Sequence, residues 1–145
     1  MPAGLLPSEG IAELLTYMLS AEVTGVLPWE LLLWTNDIAV DEATVLADLV
    51  EATFTGYSRQ TLDRDQWQAP VLTGNCAQSS WDTVPIEWFV GAALGETLYG
   101  YAMVDTTAGV LRFVQRFDDA DIEPLETGGR VLLMPLFTLT SGVCL

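Results

Sequence analysis

Apolar and polar positions alternate along several short stretches of the chain, and this period of two predicts β-strands. From Trp29 onward the stretches are separated by turn residues at Gly95, at 106–109 and at the Gly128-Gly129 pair. The predicted strands lie in the segments WELLLWTND, VLTGNCAQSSW, PIEWFVGA, TLYGYAMVD, GVLRFVQRF and GGRVLLMPLFTLT. The segment TVLADLVEATF fits a helical turn or a strand, and its β-branched residues favour a short irregular strand.

Alternation also assigns faces within two of these strands. Leu111, Phe113 and Phe117 are expected on one face of their strand. Residues 131–139 are expected to form one last strand. Pro135 cannot donate to a sheet ladder, so it places that strand at an edge or at a bulge.

The N-terminal residues follow a different period. Apolar residues of the segment SEGIAELLTYMLS recur at helical spacing, and Ser8 is a suitable N-cap. This predicts a short helix within an N-terminal arm, residues 1–22. Its apolar stripe, which includes Leu14 and Met18, is expected to pack on the core, with an oligomer contact as the alternative.

Together these elements predict a mainly β fold. The 145 residues fit one domain, and half of them are hydrophobic, so a core needs no metal or disulfide. About seven or eight short strands with frequent turns predict a single-domain antiparallel β-sandwich, jelly-roll-like, with a short N-terminal helix. The domain is expected to span residues 1–145.

The charge balance narrows the functional classes. The chain has 20 acidic residues, 5 arginines and no lysine or histidine, so its net charge is −15. Nucleic acids and anionic membranes attract basic surfaces, so neither is an expected partner. No apolar run approaches the roughly 20 residues that span a bilayer. The first ten residues resemble no secretory signal, and we expect folding in a cytoplasm.

Catalytic chemistry finds little support in the sequence. The lack of histidine removes the usual general base and the commonest transition-metal ligand. The segment GAALGE lacks the Lys-Ser/Thr pair of a nucleotide-binding loop. Carboxylate-only catalysis remains formally open, but no pair of acids stands out. We therefore expect no enzyme activity, no catalytic residues and no cofactor.

Two further features leave alternatives open. Asp118, Asp119, Asp121 and Glu123 form an acidic cluster that could hold calcium, although it lacks the spacing of an EF-hand loop. A solvated acidic loop is the favoured interpretation, and no metal site is expected. The two cysteines, Cys76 and Cys144, fit no metal-ligand spacing. Two buried thiols are expected, with a disulfide as the alternative.

The five tryptophans could form a platform for stacking sugars, but tryptophan in a sandwich usually packs in the core. Trp29 and Trp34 lie on opposite faces of one predicted strand, so at least one is expected in the core.

The segment EATFTGYSRQTLDRDQW is predicted to be a strand that leads into a charged turn. Phe54 is the expected core anchor. Gly56 is expected to permit a bulge or a close backbone approach that directs Tyr57. Arg59 and Arg64, which are set among Asp63 and Asp65, are expected to pair with local acids. The candidate interface residues are Leu14, Met18, Trp29, Trp34, Tyr57 and Arg59.

The order of these segments resembles a known class of proteins. PSEGIAELL, WELLLWTND, EATFTGYSRQTL, TLYGYAMVDTTAGVLRFVQRFDD and LETGGRVLLMPLFTLTSG follow one another as in small structural proteins encoded near capsid genes of tailed bacteriophages. The resemblance runs from about residue 7 to residue 142. It is strongest at 54–57, at 99–101 and at the strand that follows Gly128-Gly129.

The resemblance implies a virion component, either a capsid decoration (cement) protein or a head- or tail-associated β-sandwich. Such a protein would bind the major capsid protein, associate with itself as a homotrimer, and lie on the capsid surface after assembly in the host cytoplasm. The alternative is a host-recognition or glycan-binding module of a phage tail or fibre.

Overall fold

The computed structural model describes residues 29–41, 43–62, 66–73, 76–81, 84–106 and 108–140, with the backbone alone for 137–140. The predicted N-terminal helix, with Leu14 and Met18, lies outside these residues. The mainly β fold is confirmed, because the described residues form strands and only short 3₁₀ helices. The strands are β1 Trp29–Trp34, β2 Gln60–Leu62, β3 Val71–Thr73, β4 Cys76–Ser80, β5 Ile86–Phe89, β6 Gly100–Asp105, β7 Val110–Arg116, β8 Arg130–Leu133 and β9 Leu136–Thr140.

The 3₁₀ helices cover Leu46–Asp48 and Asp119–Asp121. The first lies in TVLADLVEATF, where an irregular strand was expected. In that segment only Glu51 forms an isolated bridge, to Trp34. The amide of Val45 donates a hydrogen bond to the Asp48 carboxylate and closes the turn, and a short polar side chain of this kind competes well with a strand ladder.

A four-stranded antiparallel sheet has the order β2-β1-β6-β7. Its two central strands are buried on both faces, which agrees with the near-continuous apolar run of each sequence. On one face, Trp34 joins a fully enclosed cluster with neighbours from β1 and β6. The cluster contains Leu32, Trp34, Ala102 and Val104, and it is covered by Ile38, Val40, Leu46 and Leu49 from the following loop.

A β-bulge corrects one predicted face. The register between β6 and β7 shifts between Met103 and Val104. An extra residue in one strand reverses the face of all residues beyond it. Leu111 therefore packs against the Trp34 cluster. Phe113 and Phe117 lie on the other face, with ring centroids 6.0 and 6.2 Å from that of Tyr101.

A three-stranded antiparallel sheet has the order β3-β4-β9. The segment VLTGNCAQSSW, in which a turn and an extended segment were expected, contains both β3 and β4. The expectation of two buried thiols was wrong, because Cys76 at the start of β4 is disulfide-bonded. Buried Ser79 donates a hydrogen bond to the carbonyl of Gln68, so its hydroxyl is satisfied inside the sheet.

The last predicted strand is two strands in two sheets. β8 pairs with β5, whereas β9 pairs with β4. The break falls at Met134 and Pro135. Pro135 has no N–H for a ladder, but its carbonyl accepts a hydrogen bond of 3.0 Å from the amide of Trp81. Proline thus ends one pairing here, where an edge or a bulge within one strand was expected.

The described strands fall into two compact units. One contains β3, β4 and β9, and the other contains the four-stranded sheet, β5 and most of β8. The assignment of residues 1–145 to one sandwich domain stays a prediction.

Candidate interaction surfaces

Gly56 shapes the loop that carries two of the predicted interface residues. Its φ is +99°, a left-handed conformation that side chains rarely adopt, and an added Cβ would lie 2.2 Å from the carbonyl oxygen of Phe89. The neighbouring Thr55 exchanges backbone hydrogen bonds of 3.0 and 2.7 Å with Ala92 and Gly91. The close backbone approach that was predicted for Gly56 is confirmed.

The loop places Tyr57 and Arg59 on the carboxylate of Glu51. The Tyr57 hydroxyl donates to Oε1 at 2.8 Å, and the Arg59 guanidinium donates at 2.8 and 2.9 Å to the two oxygens. The same hydroxyl accepts a bond of 3.3 Å from the amide of Leu33 in β1. The pairing of β2 with β1 ends at Leu31. Beyond that point the Tyr57 hydroxyl, and not a backbone carbonyl of β2, accepts the hydrogen bond from the amide of Leu33.

The acid that Arg59 contacts is therefore Glu51. Asp63 and Asp65, the acids expected from sequence proximity, lie outside the described residues together with Arg64. The pairing brings together residues at both ends of a loop, which the sequence does not reveal.

The electrostatics of this Glu51 cluster favour a fixed set of charges. The hydrogen bond from Arg59 lowers the pKa of Glu51 and outweighs the opposite effect of desolvation. Burial, together with the hydrogen bond to Glu51, raises the pKa of Tyr57 well above its ordinary value. The bond to Glu51 raises the pKa of Arg59 further. At neutral pH the cluster holds one carboxylate, one neutral phenol and one guanidinium, so it stabilises the loop with charges that stay fixed near that pH.

Trp34 was a candidate interface residue, but the structure does not place it on the surface. Its side chain is fully buried, so it could meet another chain only if the core opened. Its ring stacks on Tyr99, with centroids 6.4 Å apart. Trp29 is half-buried at the start of β1, and Phe54 is the buried anchor that the sequence predicted.

The other tryptophans are also buried or half-buried. Trp88 is buried and donates a hydrogen bond of 2.8 Å to the carbonyl of Ser58. Trp67 meets the buried Trp81 edge to face, with ring centroids 5.3 Å apart. None of the five tryptophans, all of which are described, forms an exposed stacking surface.

Each of the four described arginines pairs with an acid. Arg116 contacts Asp37 at 2.8 Å and Asp119 at 3.5 Å, and its guanidinium lies 5.2 Å from the centroid of the Tyr99 ring. The remaining pairs are Arg59 with Glu51, Arg112 with Asp105 and Arg130 with Glu87. Across the described ranges the positive charges are thus locally neutralised, which leaves little attraction for phosphate groups.

The acidic segment that starts at Asp118 contains the 3₁₀ helix Asp119–Asp121. Within the part of the chain that the structure describes, no group of three or more histidine, cysteine or acidic side chains is arranged to hold a metal ion. Asp119 of the segment forms an ion pair with Arg116.

Two exposed apolar surfaces were not predicted. In β3, Val71 is 64% and Leu72 is 44% exposed. In the β5–β8 pair, Phe89 is 57% and Leu132 is 59% exposed. One signal for the first surface could have been found in the sequence, because no charged residue occurs from Gln66 to Ser80.

Comparison with models of protein families, with curated proteins and with solved structures finds no match. Among the described residues, no helix is long and apolar enough to cross a lipid bilayer.

Proposed function

We propose that the protein is a virion structural protein, a capsid decoration protein that binds the major capsid protein and stabilises the head of a tailed phage. The observation that carries the proposal is the exposed apolar strand β3, in a sheet whose strands contain no charged residue. In a chain with a net charge of −15, apolar side chains exposed on both faces of this uncharged strand favour contact with another protein.

The energetics of β3 support a binding role. Complete burial of a valine or leucine side chain contributes about 1.5 to 3 kcal/mol. Val71 and Leu72 leave much of that contribution unused in the isolated chain, because both are exposed. Among the described strands β3 pairs with β4 alone, so within the described residues it is an edge strand, a kind of strand with which another chain can pair.

The resemblance to proteins encoded near capsid genes supplies the identity of that partner. Under this proposal the sheets form a jelly-roll-like sandwich, the protein associates with itself as a homotrimer, and it resides on the capsid surface. The low number of positive charges, all of them paired where described, agrees with a protein that contacts protein and no nucleic acid.

Co-sedimentation with heads of the phage whose genome carries this chain tests the proposal. Wild-type protein is expected to pellet with the heads, and Leu72→Ser is expected to weaken binding by about tenfold. Val45→Ser is the matched control, because Val45 is also exposed but lies on no strand. Wild-type protein that stays in the supernatant would overturn the proposal.

The alternative, a glycan-binding or host-recognition module of a tail or fibre, receives no support from the tryptophans, which are buried or half-buried. Copy number in purified particles separates the two functions. Hundreds of copies indicate decoration of the head, and a handful indicate a tail.

A further inference from the structure

The β5–β8 pair is a small sheet with one inner and one outer face. Trp88 of β5 is buried, while Glu87 and Phe89 on either side of it are exposed. In β8, Arg130 and Leu132 are exposed and alternate with half-buried residues. Successive side chains of a strand point to opposite faces, so each strand presents one charged and one apolar residue outward.

An ion pair shows that these residues share one surface. Arg130 Nη1 lies 3.2 Å from Glu87 Oε1. Because this contact joins the outward faces of both strands, Phe89 and Leu132 lie on the same side of the sheet. We call these four residues the β5–β8 face. It combines an aromatic and an aliphatic side chain with one arginine and one acid, and aromatic residues and arginine are enriched at protein interfaces.

We propose that a second copy of this chain docks on the β5–β8 face across a two-fold axis. Phe89 and Leu132 of the two copies pack together, and Arg130 of each copy faces Glu87 of the other. In a two-fold contact the same patch occurs on both sides, so it must be complementary to itself. A patch with one acid and one arginine beside apolar anchors meets this requirement.

Charge favours a second copy over other occupants. Two chains of net charge −15 repel each other over most of their surfaces. Charges beyond about 8–10 Å are screened at physiological salt, so only those near the contact decide. The Arg130 side chain is 66% exposed, the most of any arginine in an ion pair of the described residues. A basic partner would meet Arg130 as a like charge, whereas an identical copy brings Glu87 to it.

This contact goes beyond the proposed function and does not rest on it, because it assigns a two-fold contact between chains. The resemblance implies a trimer, whereas a self-complementary face produces a dimer. Binding to heads is measured separately, so the two proposals can fail independently. A chain that pellets with heads but remains monomeric in solution would overturn the dimer contact alone.

Charge reversal in trans tests the contact with the full chain. Arg130→Glu places acids against acids in a homodimer, and Glu87→Arg places arginines against arginines. Each variant alone is expected to sediment as a monomer at concentrations where wild type is a dimer. An equimolar mixture of the two variants is expected to form a heterodimer, because both contacts are then between opposite charges.

The mixture separates a contact between chains from a role within one chain. Both reversals also break the ion pair between Glu87 and Arg130 in the same chain, and mixing cannot restore that pair. Failure of the mixture to dimerise, or a wild type that remains monomeric, would overturn the proposal.

A second variant tests the apolar anchors. Phe89→Ser is expected to raise the dimer Kd by about tenfold or more, with an unchanged melting temperature because the side chain is exposed. Val45→Ser, which alters an exposed valine away from this face, is expected to leave the Kd unchanged. Equal effects of the two variants would contradict the assigned surface.

Discussion

The two larger sheets of this protein are stabilised in different ways. The strands of the three-stranded sheet contain no charged residue, and β4 carries the disulfide-bonded Cys76. The four-stranded sheet instead includes charged residues in β1, β6 and β7, and its unit contains the ion pairs of Arg59, Arg112 and Arg116. Its central strands are buried on both faces.

The smaller sheet is thus stabilised by a covalent bond, and the unit of the larger sheet by polar contacts. A sheet of three short strands buries little area, and a disulfide compensates by restricting the unfolded chain. The four-stranded sheet has a larger core, and its charged groups hold loops against it. Among the described residues the ion pairs therefore lie in the unit of the larger sheet, while reductant acts on the smaller sheet.

The largest expected loss in the free energy of unfolding comes from removing the disulfide of the smaller sheet. Reduction of the disulfide, or Cys76→Ala, is expected to lower the free energy of unfolding by about 3 kcal/mol, because the unfolded chain gains conformational freedom. Urea unfolding with and without reductant measures this loss. The control is Cys76→Ala itself, on which reductant should have no further effect. An unchanged transition for reduced wild type would contradict this assignment.

A smaller effect is expected in the unit of the larger sheet. Gly56→Ala would place a Cβ 2.2 Å from the Phe89 carbonyl oxygen at a φ of +99°, at a cost of about 3 kcal/mol or slightly less. Gly109→Ala is the matched control, because its φ is +67° but no atom lies within 4 Å of the added Cβ. It is expected to cost about 1 kcal/mol. Thermal unfolding compares the variants, and equal losses would show that backbone approach plays no part.

The smallest effect depends on pH. The pKa of Glu51 is lowered from its ordinary value of 4.5, so its pairing with Arg59 stabilises the fold above that pH. The contribution is lost as the pH falls through the lowered pKa. Glu51→Gln is expected to cost about 1 kcal/mol at pH 7, since the pair is half-exposed and partly screened.

The difference between Glu51→Gln and wild type should vanish in acid, where Glu51 is protonated. Urea unfolding from pH 7 to pH 3 follows it. Glu123→Gln provides the control, because Glu123 is exposed and forms no ion pair within the described ranges. A constant difference at all pH values would assign the loss to packing.

Much of the fold could be predicted because local patterns determine it. Short β-forming stretches bounded by turn residues predicted strands at β1 and β6. The face of Leu111 could not be predicted, because a bulge depends on the register between two strands and not on either sequence alone. The division of the last predicted strand at Pro135 could not be predicted either. The sequence shows that proline lacks an N–H donor, but it does not show that the residues after it pair in a different sheet.

The candidate surfaces were less accessible to sequence reasoning. Gly56 and Phe54 were interpreted correctly because each follows a local rule. The partner of Arg59 lies at the other end of a loop, and nearby acids offered a more obvious choice. Trp34 was assigned to an interface although it is buried, because alternation separates two faces but does not say which of them another segment covers.

Because β9 follows Pro135 in the chain, the smaller sheet can be completed during synthesis only after the residues beyond Pro135 have been translated. Ser80 pairs with Leu136, so β4 leaves the ribosome long before its second neighbour exists. All four strands of the larger sheet, by contrast, have been translated once Arg116 is added. At roughly 5–20 residues per second, the uncharged β3–β4 hairpin waits on the order of seconds for β9. The nascent protein must therefore carry an incomplete, aggregation-prone edge until β9 has been made.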